Sequence, residues 1–455
     1  MFIFPPGNAD FENKQGPGHL PAERMAGRKP ITVEAAKQMK RYLMVLMMGI
    51  AGVVGCKAPG SGEAPAVMTG LDRVAAGEVS VLDGLRVGVI TNQTGRTAAG
   101  RHIADVIMDD PDITLVALFG PEHGIRGKAE AGDKVSTGHD NKTGVPVYSL
   151  YGATRKPAPE MLAGLDALVF DIQDIGARFY TYISTMSLAM EAAAENDLRF
   201  IVLDRPNPIG GELVEGPVLD PRFRSFVGIH PIPVRHGMTV GELARMFNEQ
   251  GWLAGGVRAE LTVIPMRGWK RHMLWQETGL PWVAPSPNIP DAETALLYPG
   301  IGLLEMTNVS EGRGTRQPFI LFGSPWMNSS AMISRLRQAG LQGVRFSPAS
   351  FTPVDIPGMA TRNKFDGRLC NGVRISVEDR HQLRSVRLGM HVLTSLQALY
   401  PDSLRIWQRR VERMLGRDDI WQALMENVPA DTIIARWQAG RDEFLEKRAR
   451  SLLYE

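Results

Sequence analysis

Short apolar runs alternate with longer segments of helical spacing from residue 85 onward, and this alternation leaves few folds open to the chain. It is typical of βαβ units, in which helices cover both faces of a parallel sheet. Helical periodicity covers residues 100–108 and 180–195. The expected strands are residues 85–91, 113–119, 165–172 and 200–204. The sequence therefore predicts an α/β protein built on a parallel sheet.

Each expected strand ends in a cluster of polar residues. In an open parallel sheet, ligands bind beyond the carboxyl ends of the strands, so the clusters predict one shared site. Taken singly, Asn, Asp, Gly and Pro after a strand indicate no more than a turn. A dinucleotide site is not expected, because neither a G-x-G-x-x-G motif nor a P-loop follows the first strand. The clusters are Asn92-Gln93-Thr94-Gly95, Gly120-Pro121-Glu122-His123-Gly124, Asp171-Ile172-Gln173-Asp174 and Asp204-Arg205-Pro206-Asn207-Pro208.

The character of the chain changes near residue 282. Four prolines fall between residues 281 and 290, and a Gly-rich stretch follows over residues 299–318. We therefore expect a parallel-sheet domain over residues 68–287 and a second α/β domain over residues 288–455. Within the second domain, residues 384–400 and 406–413 have helical spacing. The Arg-rich C-terminal end is expected to be a solvated helical tail.

The N-terminal region has the layout of a secretory signal, because two cations precede an apolar run too short to cross a bilayer. Val53-Val54-Gly55-Cys56 resembles a lipobox, the bacterial motif whose cysteine is lipidated, which makes Cys56 the expected lipidation site. A signal anchor and a buried cysteine are the alternatives. We interpret residues 1–38 as a misassigned extension, 39–56 as the lipoprotein signal peptide and 57–67 as a flexible tether. The expected location is the cell envelope, lipid-anchored at the periplasmic face of the outer membrane or at an extracytoplasmic membrane face.

Charge and cysteine content exclude several classes of function. The formal net charge of +2 gives no electrostatic reason to expect nucleic acid as a partner. The two cysteines, Cys56 and Cys370, cannot form a disulfide framework and lack metal-ligand spacing. We expect Cys370 to be packed rather than reactive. Since H-E-x-x-H is also absent, neither a metal nor another cofactor is expected.

Glu122 is the leading candidate for acid catalysis. A carboxyl group that is partly desolvated at the end of an apolar strand has a raised pKa and can act as a general acid. The alternative is that Glu122 caps the next turn or pairs with Arg126. Asp171 and Asp174 lie three residues apart after a strand, where one is expected to cap a helix and the other to face the site.

Basic and aromatic residues in the same segments are candidates for ligand binding. Arginines in Gly- or Pro-rich loops can bind a carboxylate or phosphate through two parallel hydrogen bonds, although a surface position is the default for each of them. Tyr180, Tyr182, Trp282 and Trp326 could stack on a sugar ring, but aromatic residues at helical spacing more often belong to the core. His123 and His236 could transfer protons. The arginines are Arg178, Arg205, Arg235 and Arg313.

Seven motifs, taken in order, resemble those of the NamZ exo-β-N-acetylmuramidases. The resemblance extends from about Gly70 to the C-terminus. One departure is Leu304-Glu305-Met306-Thr307, where related chains usually read FEGTN. The glycine of that pattern is missing here, so the local backbone conformation is expected to differ from that of related chains. The motifs are GPEHG at 120–124, DIQDIGARFYTY at 171–182, DRPNPIGG at 204–211, RHGMTVGE at 235–242, PSPNIP at 285–290, YPG at 298–300 and NVSEGRGT at 308–315.

The resemblance implies a peptidoglycan-recycling glycoside hydrolase that releases N-acetylmuramic acid from the non-reducing ends of glycan fragments. It further implies a Rossmann-like N-terminal domain, a smaller C-terminal α/β domain and an active site in the cleft between them. Glu122 would be the catalytic acid, with His123 beside it. Together with the residues considered above, the predicted catalytic set is Glu122, His123, Asp171 and Asp174. The predicted substrate-binding set is Asn92, Gln93, Arg178, Tyr180, Asp204, Arg205, Asn207, His236, Asn288, Asn308, Glu311 and Arg313.

The sequence leaves the mechanism open. Asp171 or Asp174 could act as nucleophile or as the base that activates water, or the 2-acetamido group of the substrate could attack. We expect Arg178 or Arg313 to bind the lactyl carboxylate, which N-acetylmuramic acid has and N-acetylglucosamine lacks. A non-catalytic muropeptide-binding envelope lipoprotein and a metal-dependent phosphate-ester hydrolase are the alternative functions. The oligomeric state is not predicted.

Overall fold

A mainly parallel sheet of seven strands organises the first half of the chain in the computed structural model, which describes residues 67–121, 124–125, 138–152 and 154–455. Within these residues the strand order is β3-β4-β2-β1-β5-β6-β9, and all neighbours are parallel except β3 and β4. The strands are β1 (Arg86–Thr91), β2 (Thr114–Gly120), β3 (Gly138–His139), β4 (Pro146–Ser149), β5 (Ala167–Asp171), β6 (Arg199–Leu203) and β9 (Glu260–Ile264).

Helices cover both faces of this sheet, because its central strands are apolar on both sides. Leu168 and Phe170 of β5 pack in the cluster that includes helices α3 and α4, whereas Val169 packs in the cluster on the opposite face, with α1 and α2. The predicted strands correspond to β1, β2, β5 and β6, so the α/β class and the parallel sheet are confirmed. These helices are α1 (Gly70–Ala75), α2 (Ile103–Met108), α3 (Tyr182–Glu195) and α4 (Val240–Glu249).

The second half is built on a three-stranded antiparallel sheet, in the order β10-β12-β11, and on a group of helices. Its elements are α5 (Ala292–Ile301), β10 (Leu321–Ser324), α6 (Ser329–Gln338), β11 (Val344–Phe351), β12 (Cys370–Val377), α7 (Ser385–Leu399), α8 (Gln408–Leu415), α9 (Asp419–Met425), α10 (Ala430–Ala435) and α11 (Gln438–Ala449). Helices α7 and α8 confirm the helical spacing predicted for residues 384–400 and 406–413.

Short elements complete the chain. Strands β7 (Glu215–Val218) and β8 (Pro233–Arg235) form an antiparallel pair. Single turns of 3-10 helix occur at Pro159–Met161, Pro221–Phe223, Ala254–Gly256 and Trp275–Glu277, and a longer 3-10 segment at Gly302–Met306 continues directly from α5. Within the described residues, no helix is both long and apolar enough to cross a membrane.

The two halves share one hydrophobic core. Ile175, Phe179 and Val234 from the first half pack in the same cluster as α5, α7 and the antiparallel sheet. The described residues from 67 to 455 accordingly belong to one compact unit. The predicted boundary at residues 287–288 therefore separates halves that pack closely, and it stays a prediction.

The C-terminal end is not the solvated tail that its composition predicts. The side chain of Arg448 is buried and donates a hydrogen bond to the carbonyl oxygen of Gly237 at 2.8 Å. The Tyr454 hydroxyl donates to Asp204 Oδ2 at 2.5 Å, and the backbone N–H of Leu453 donates to Glu242. The long stems of the arginines allow this end to pack on the first half while its exposed face stays charged.

Cys370 lies in β12 and is fully buried as a free thiol, as predicted. Its burial raises the pKa of the thiol to about 11, which disfavours the reactive thiolate. Residues 1–66, including Cys56 and the predicted signal segment, lie outside the described residues.

Candidate active site

The predicted polar clusters meet at one edge of the sheet. Strands β2, β1, β5 and β6 are adjacent and parallel, so their carboxyl ends share that edge. The Thr91 hydroxyl donates to the carbonyl oxygen of Asp171 at 3.0 Å, and Thr94 Oγ1 accepts from the backbone N–H of Gln173 at 2.9 Å. The chain runs to opposite sides of the sheet from β1 and from β5, so the crevice between them is the topological switch point at which ligands bind.

The cluster that carries the predicted catalytic acid is only partly described. Glu122 and His123 lie outside the described residues, whereas Gly120 and Pro121 directly before them are at the end of β2. The carbonyl oxygen of Gly120 accepts a hydrogen bond from the Leu150 N–H at 2.8 Å. Leu150 in turn precedes Tyr151, which lines the cavity described below.

Asp171 forms a buried ion pair with Arg205. Two parallel hydrogen bonds join the guanidinium to the carboxylate, at 2.5 Å from Nε and 2.9 Å from Nη2. Both side chains are almost fully buried. Desolvation raises the pKa of Asp171, and the charge of Arg205 opposes this only in part. The pair therefore ties the end of β5 to the end of β6, and among the described residues Arg205 lines only a small cavity of about 40 Å³.

Asp174 does not cap a helix either, so the expectation that one of the two aspartates would do so is wrong. The cap position of α3 is Thr181, several residues further along. Asp174 accepts a hydrogen bond from the Gly176 N–H at 2.7 Å, and its Oδ2 lies 3.8 Å from Nε2 of the fully buried His236. His236 Nδ1 accepts from the Met238 N–H, which leaves the proton on Nε2, directed toward the carboxylate.

Three more predicted residues bind protein groups at the same edge. Asp204 accepts hydrogen bonds from Thr239 Oγ1, the Gly241 N–H and the Tyr454 hydroxyl, and burial raises its pKa to about 6. The side chains of Asn92 and Asn207 close local turns, the first with Thr94 and the second with Ile209. These contacts hold the loops of the edge in place, which is a supporting role for all three residues.

Arg178 is not at the ligand surface, so one of the two candidates for carboxylate binding is wrong. Its side chain is fully buried, and its terminal nitrogens donate to the carbonyl oxygens of Pro217, Ile232 and Met414 at 2.6–2.8 Å. Three carbonyl oxygens from both halves of the chain accept hydrogen bonds from its terminal nitrogens. Arg178 therefore joins the halves and leaves Arg313 as the candidate.

A cavity of about 690 Å³ lies where the two halves of the chain meet. Of the predicted residues, Tyr180, Asn288 and Arg313 line it, and Glu305 contributes a carboxyl group. Its walls also carry six aromatic side chains in addition to Tyr180, and two further arginines. These residues are Tyr151, Phe179, Tyr182, Phe226, Tyr298 and Phe319, with Arg155 and Arg413. Aromatic faces and fixed cations suit a sugar that carries a negative charge.

The strand-end residue Gln93 does not line this cavity but holds a neighbouring loop in place. Its side-chain amide donates to the carbonyl oxygens of Ala284 and Pro285 at 3.0 and 3.2 Å, and the Tyr182 hydroxyl donates to the same Pro285 oxygen at 2.7 Å. Asn288, three residues later, donates from its side chain to the carbonyl oxygen of Met359. Gln93 therefore positions the loop that brings Asn288 to the cavity.

Asn308 and Glu311 do not line the cavity. The Asn308 side chain accepts from the Arg405 N–H at 2.8 Å and donates to the carbonyl oxygen of Ser403. Glu311 forms a largely buried ion pair with Lys364 at 2.8 Å. These two residues fix the 308–315 loop, which presents Arg313.

Sequence reasoning did not identify Glu305 or Phe226 as residues that line the cavity. Glu305 lies in the segment that departs from the family pattern, and the preceding residues give no strand signal that would place it at an edge. Arg155 stacks on the Phe226 ring at 4.3 Å, a contact between loops distant in sequence. Within the described residues, no group of three or more His, Cys, Asp or Glu side chains is arranged to hold a metal ion.

Comparisons with known proteins agree with this architecture. Residues 87–293 match the family model described as exo-beta-N-acetylmuramidase NamZ, N-terminal, and residues 296–454 match its C-terminal counterpart. The peptidoglycan beta-N-acetylmuramidase NamZ of Bacillus subtilis (strain 168) is 46% identical over 391 residues, which cover 86% of this chain and 92% of that protein.

Two crystal structures of DUF1343 family proteins from Bacteroides fragilis NCTC 9343 are also similar. One has a TM-score of 0.80 at 37% identity, covering 86% of this chain and 100% of its own. The other has a TM-score of 0.72 at 34% identity, covering 86% of this chain and 99% of its own. With matches across both halves and close identity over most of its length, the chain belongs to the NamZ family of exo-β-N-acetylmuramidases.

Proposed function

We propose that this chain is an exo-acting glycoside hydrolase that releases N-acetylmuramic acid from the non-reducing ends of peptidoglycan glycan fragments during cell-wall turnover. The observation that carries the proposal is the cavity at the meeting of the two family-matched halves, lined by aromatic rings and by Arg313. A cavity built from two halves suits the recognition of a chain end. The alternative of a non-catalytic glycan-binding lipoprotein is not favoured, because the Bacillus subtilis relative that is 46% identical over most of the chain is named as a peptidoglycan beta-N-acetylmuramidase.

Arg313 is the residue proposed to select the muramyl sugar. Its guanidinium lines the cavity, and its contact with Glu305 Oε1 is long, at 3.5 Å. Charged hydrogen bonds are normally shorter, about 2.7–2.9 Å. Its donors can therefore turn to a ligand carboxylate, and the lactyl group of N-acetylmuramic acid supplies one.

Glu122 is the proposed general acid, with His123 beside it. Support comes from Gly120 and Pro121, which end β2 next to the residues leading to Tyr151 in the cavity wall. Protonation of the bridging oxygen allows the glycosidic bond to break through an oxocarbenium-like transition state. Because Arg205 neutralises Asp171 in a buried pair, Asp174 and the 2-acetamido group of the substrate are the remaining candidates for the second catalytic role.

A disaccharide assay tests the proposed function. The substrate is N-acetylmuramyl-N-acetylglucosamine, and the product is free N-acetylmuramic acid, measured by chromatography. We expect release by the wild type, a loss of roughly 10²–10⁴-fold in Glu122→Gln, and unchanged release in Glu160→Gln, a matched change at an exposed site. Binding without release in the wild type would reject the enzyme, and activity abolished by a chelator would favour a metal-dependent hydrolase.

We also propose that the protein is anchored in the cell envelope through a lipid on Cys56, facing the periplasm from the outer membrane or the outside of another membrane. The support is the lipobox-like Val53-Val54-Gly55-Cys56 after a short apolar run. Cys56→Ala should abolish the incorporation of a labelled fatty acid into the protein. A fatty-acid label that survives this substitution would contradict the anchor.

A further inference from the structure

The cavity contains a carboxyl group that the proposed mechanism does not use. Glu305 lies in the 3-10 segment after α5, and 32% of its side-chain surface remains exposed toward the cavity that it lines. Among the described residues, its nearest charged partner is Arg313 at 3.5 Å. An acidic side chain beside the cation proposed to bind an anionic sugar weakens that binding while it is ionised.

The backbone around Glu305 is held by hydrogen bonds from two basic side chains, and this places the Cα atom of Glu305 close to the loop that carries Arg313. Arg410 of α8 donates to the carbonyl oxygen of Glu305 at 2.8 Å. Lys364, from the connection between β11 and β12, donates to the carbonyl oxygens of Leu304 at 2.8 Å and Val309 at 3.0 Å. Lys364 thus joins the 3-10 segment to the 308–315 loop.

The charged groups that act on Glu305 include more cations than acids, and Arg155 and Arg413 add positive charge to the same cavity. The charged groups that act on it are Glu311, Arg313, Lys364 and Arg410. With both glutamates ionised, the three cations exceed the acids by one positive charge. When Glu305 is protonated, the excess becomes two. A ligand with a single carboxylate is therefore accommodated in either state and is held more strongly when Glu305 is neutral.

We infer that Glu305 acts through Arg313 as a positioning residue, setting how strongly the cavity attracts the carboxylate of the muramyl ligand and making that attraction depend on pH. This inference rests on the proposed function, because it concerns the same cavity and the same sugar. Desolvation in the cavity wall, followed by the charge of Glu311, raises the pKa of Glu305 above its usual range.

A rise in pH should weaken the binding of the anionic sugar. Above about pH 5 the lactyl carboxyl group of the ligand is ionised. As the pH rises through the pKa of Glu305, the new negative charge competes for Arg313, so affinity for the anionic sugar falls. A neutral form of the same sugar, in which the lactyl acid is converted to its amide, has no charge to be repelled.

Calorimetric titration with N-acetylmuramic acid and with its neutral lactamide, between pH 4.5 and 8, tests the inference. For the wild type, the Kd of the acid should rise by roughly tenfold or more with pH, while that of the lactamide stays constant. Glu305→Gln should bind the acid more tightly at the upper pH and lose the pH dependence. The matched control is Glu293→Gln, since Glu293 has the same 32% exposure and pairs with Arg380 at 3.6 Å, and this variant should keep the wild-type profile.

A wild-type Kd for the acid that does not change with pH, or a pH dependence that is as large in Glu305→Gln as in the wild type, would overturn the inference. If Glu305→Gln fails to fold, the contrast between acid and lactamide in the wild type still decides the question. Disaccharide hydrolysis on the same samples separates the two proposals. Turnover with a flat affinity profile rejects the role of Glu305 alone, and pH-dependent binding without turnover rejects the enzymatic function alone.

Discussion

Charged side chains near the carboxyl edge of the sheet divide into two groups according to what they contact. Asp171, Arg178 and Arg205 have buried partners within the protein, whereas Glu305 and Arg313 lie in the cavity wall and form only a loose pair. Both groups consist of residue types that sequence reasoning associates with binding. The two groups differ in how many hydrogen bonds each side chain makes to the protein. Side chains with many such bonds support the fold, and those with few remain able to bind a ligand.

Arg313→Ala should therefore weaken recognition of the muramyl sugar without affecting chemistry. A lost charged hydrogen bond of about 1.5–3 kcal/mol corresponds to a rise in KM of roughly 10–150-fold for the acid-bearing disaccharide, with kcat little changed. Steady-state kinetics with the lactamide disaccharide should show a much smaller rise. Arg316→Ala, an exposed arginine in the same loop, is the control. Equal effects on both substrates would remove Arg313 from the recognition of the carboxylate.

Asp204 predicts a pH dependence of stability. Its pKa is raised from an ordinary value of 3.8 to about 6 by burial, so the folded protein holds a proton that the unfolded chain releases. The resulting stabilisation is complete below about pH 4 and is lost as the pH rises through about 6; it amounts to roughly 3 kcal/mol. Asp204→Asn lacks this titration.

Urea unfolding of the wild type and Asp204→Asn at pH 4, 5, 6 and 7 measures the effect. The free energy of unfolding of Asp204→Asn, relative to the wild type, should increase by about 2.4 kcal/mol across this range. A difference between the two proteins that is the same at every pH would show that Asp204 does not titrate in this interval.

At the scale of elements, helices α5 and α7 cross so closely that neither helix has room for a side chain at the crossing point. A Cβ atom on Gly300 would collide with the carbonyl oxygen of Ser385, and one on Gly389 would collide with the carbonyl oxygen of Gly300. This contact explains the glycine of the YPG motif. It also sets the position of the 3-10 segment that begins at Gly302 and carries Glu305.

Gly300→Ala should consequently lower stability by about 1–3 kcal/mol or more, because backbone atoms cannot move aside easily. Gly440→Ala in α11 is the matched control, since its Cβ would lie 3.8 Å from Val218, an ordinary contact. In that helix, alanine should raise the free energy of unfolding by about 0.5–1 kcal/mol. Thermal or urea unfolding of both variants checks the opposite signs, and a neutral Gly300→Ala would contradict the close crossing.

The sequence predicted the central strands well because each is an apolar run that ends in polar residues, and that pattern directly reflects burial between two layers of helices. It also placed the strand-end clusters on one edge, since parallel strands require it. Whether an individual polar side chain faces the cavity or the protein interior could not be predicted. Whether Arg178 faces a ligand or the interior depends on carbonyl groups of Pro217, Ile232 and Met414, which lie far away in sequence.

The C-terminal end was mispredicted for a related reason. Its composition is that of a solvated helix, but Arg448 and Tyr454 find partners on the first half at Gly237 and Asp204. A contact more than two hundred residues apart leaves no local signal. The motif resemblance, by contrast, identified the family correctly, because several short motifs in a fixed order are specific even where each one is weak.

At the scale of the whole molecule, the cavity exists only where the two halves pack together. The first half contributes Tyr151 and the 179–182 loop, and the second contributes Asn288, Glu305 and Arg313. The shared hydrophobic core fixes the positions of these residues relative to one another. An exo-acting hydrolase needs this arrangement, because the terminal sugar must be enclosed while the rest of the glycan leaves through the opening.

The most direct measurement is a crystal structure of the Glu122→Gln variant with N-acetylmuramyl-N-acetylglucosamine. The muramyl ring should lie in the cavity between the halves, with its lactyl carboxylate within hydrogen-bond distance of Arg313. The side chain at position 122 should approach the bridging oxygen to about 2.6–3.2 Å. A disaccharide bound elsewhere on the protein, or a residue 122 turned away from the glycosidic oxygen of a sugar bound in this cavity, would contradict the account.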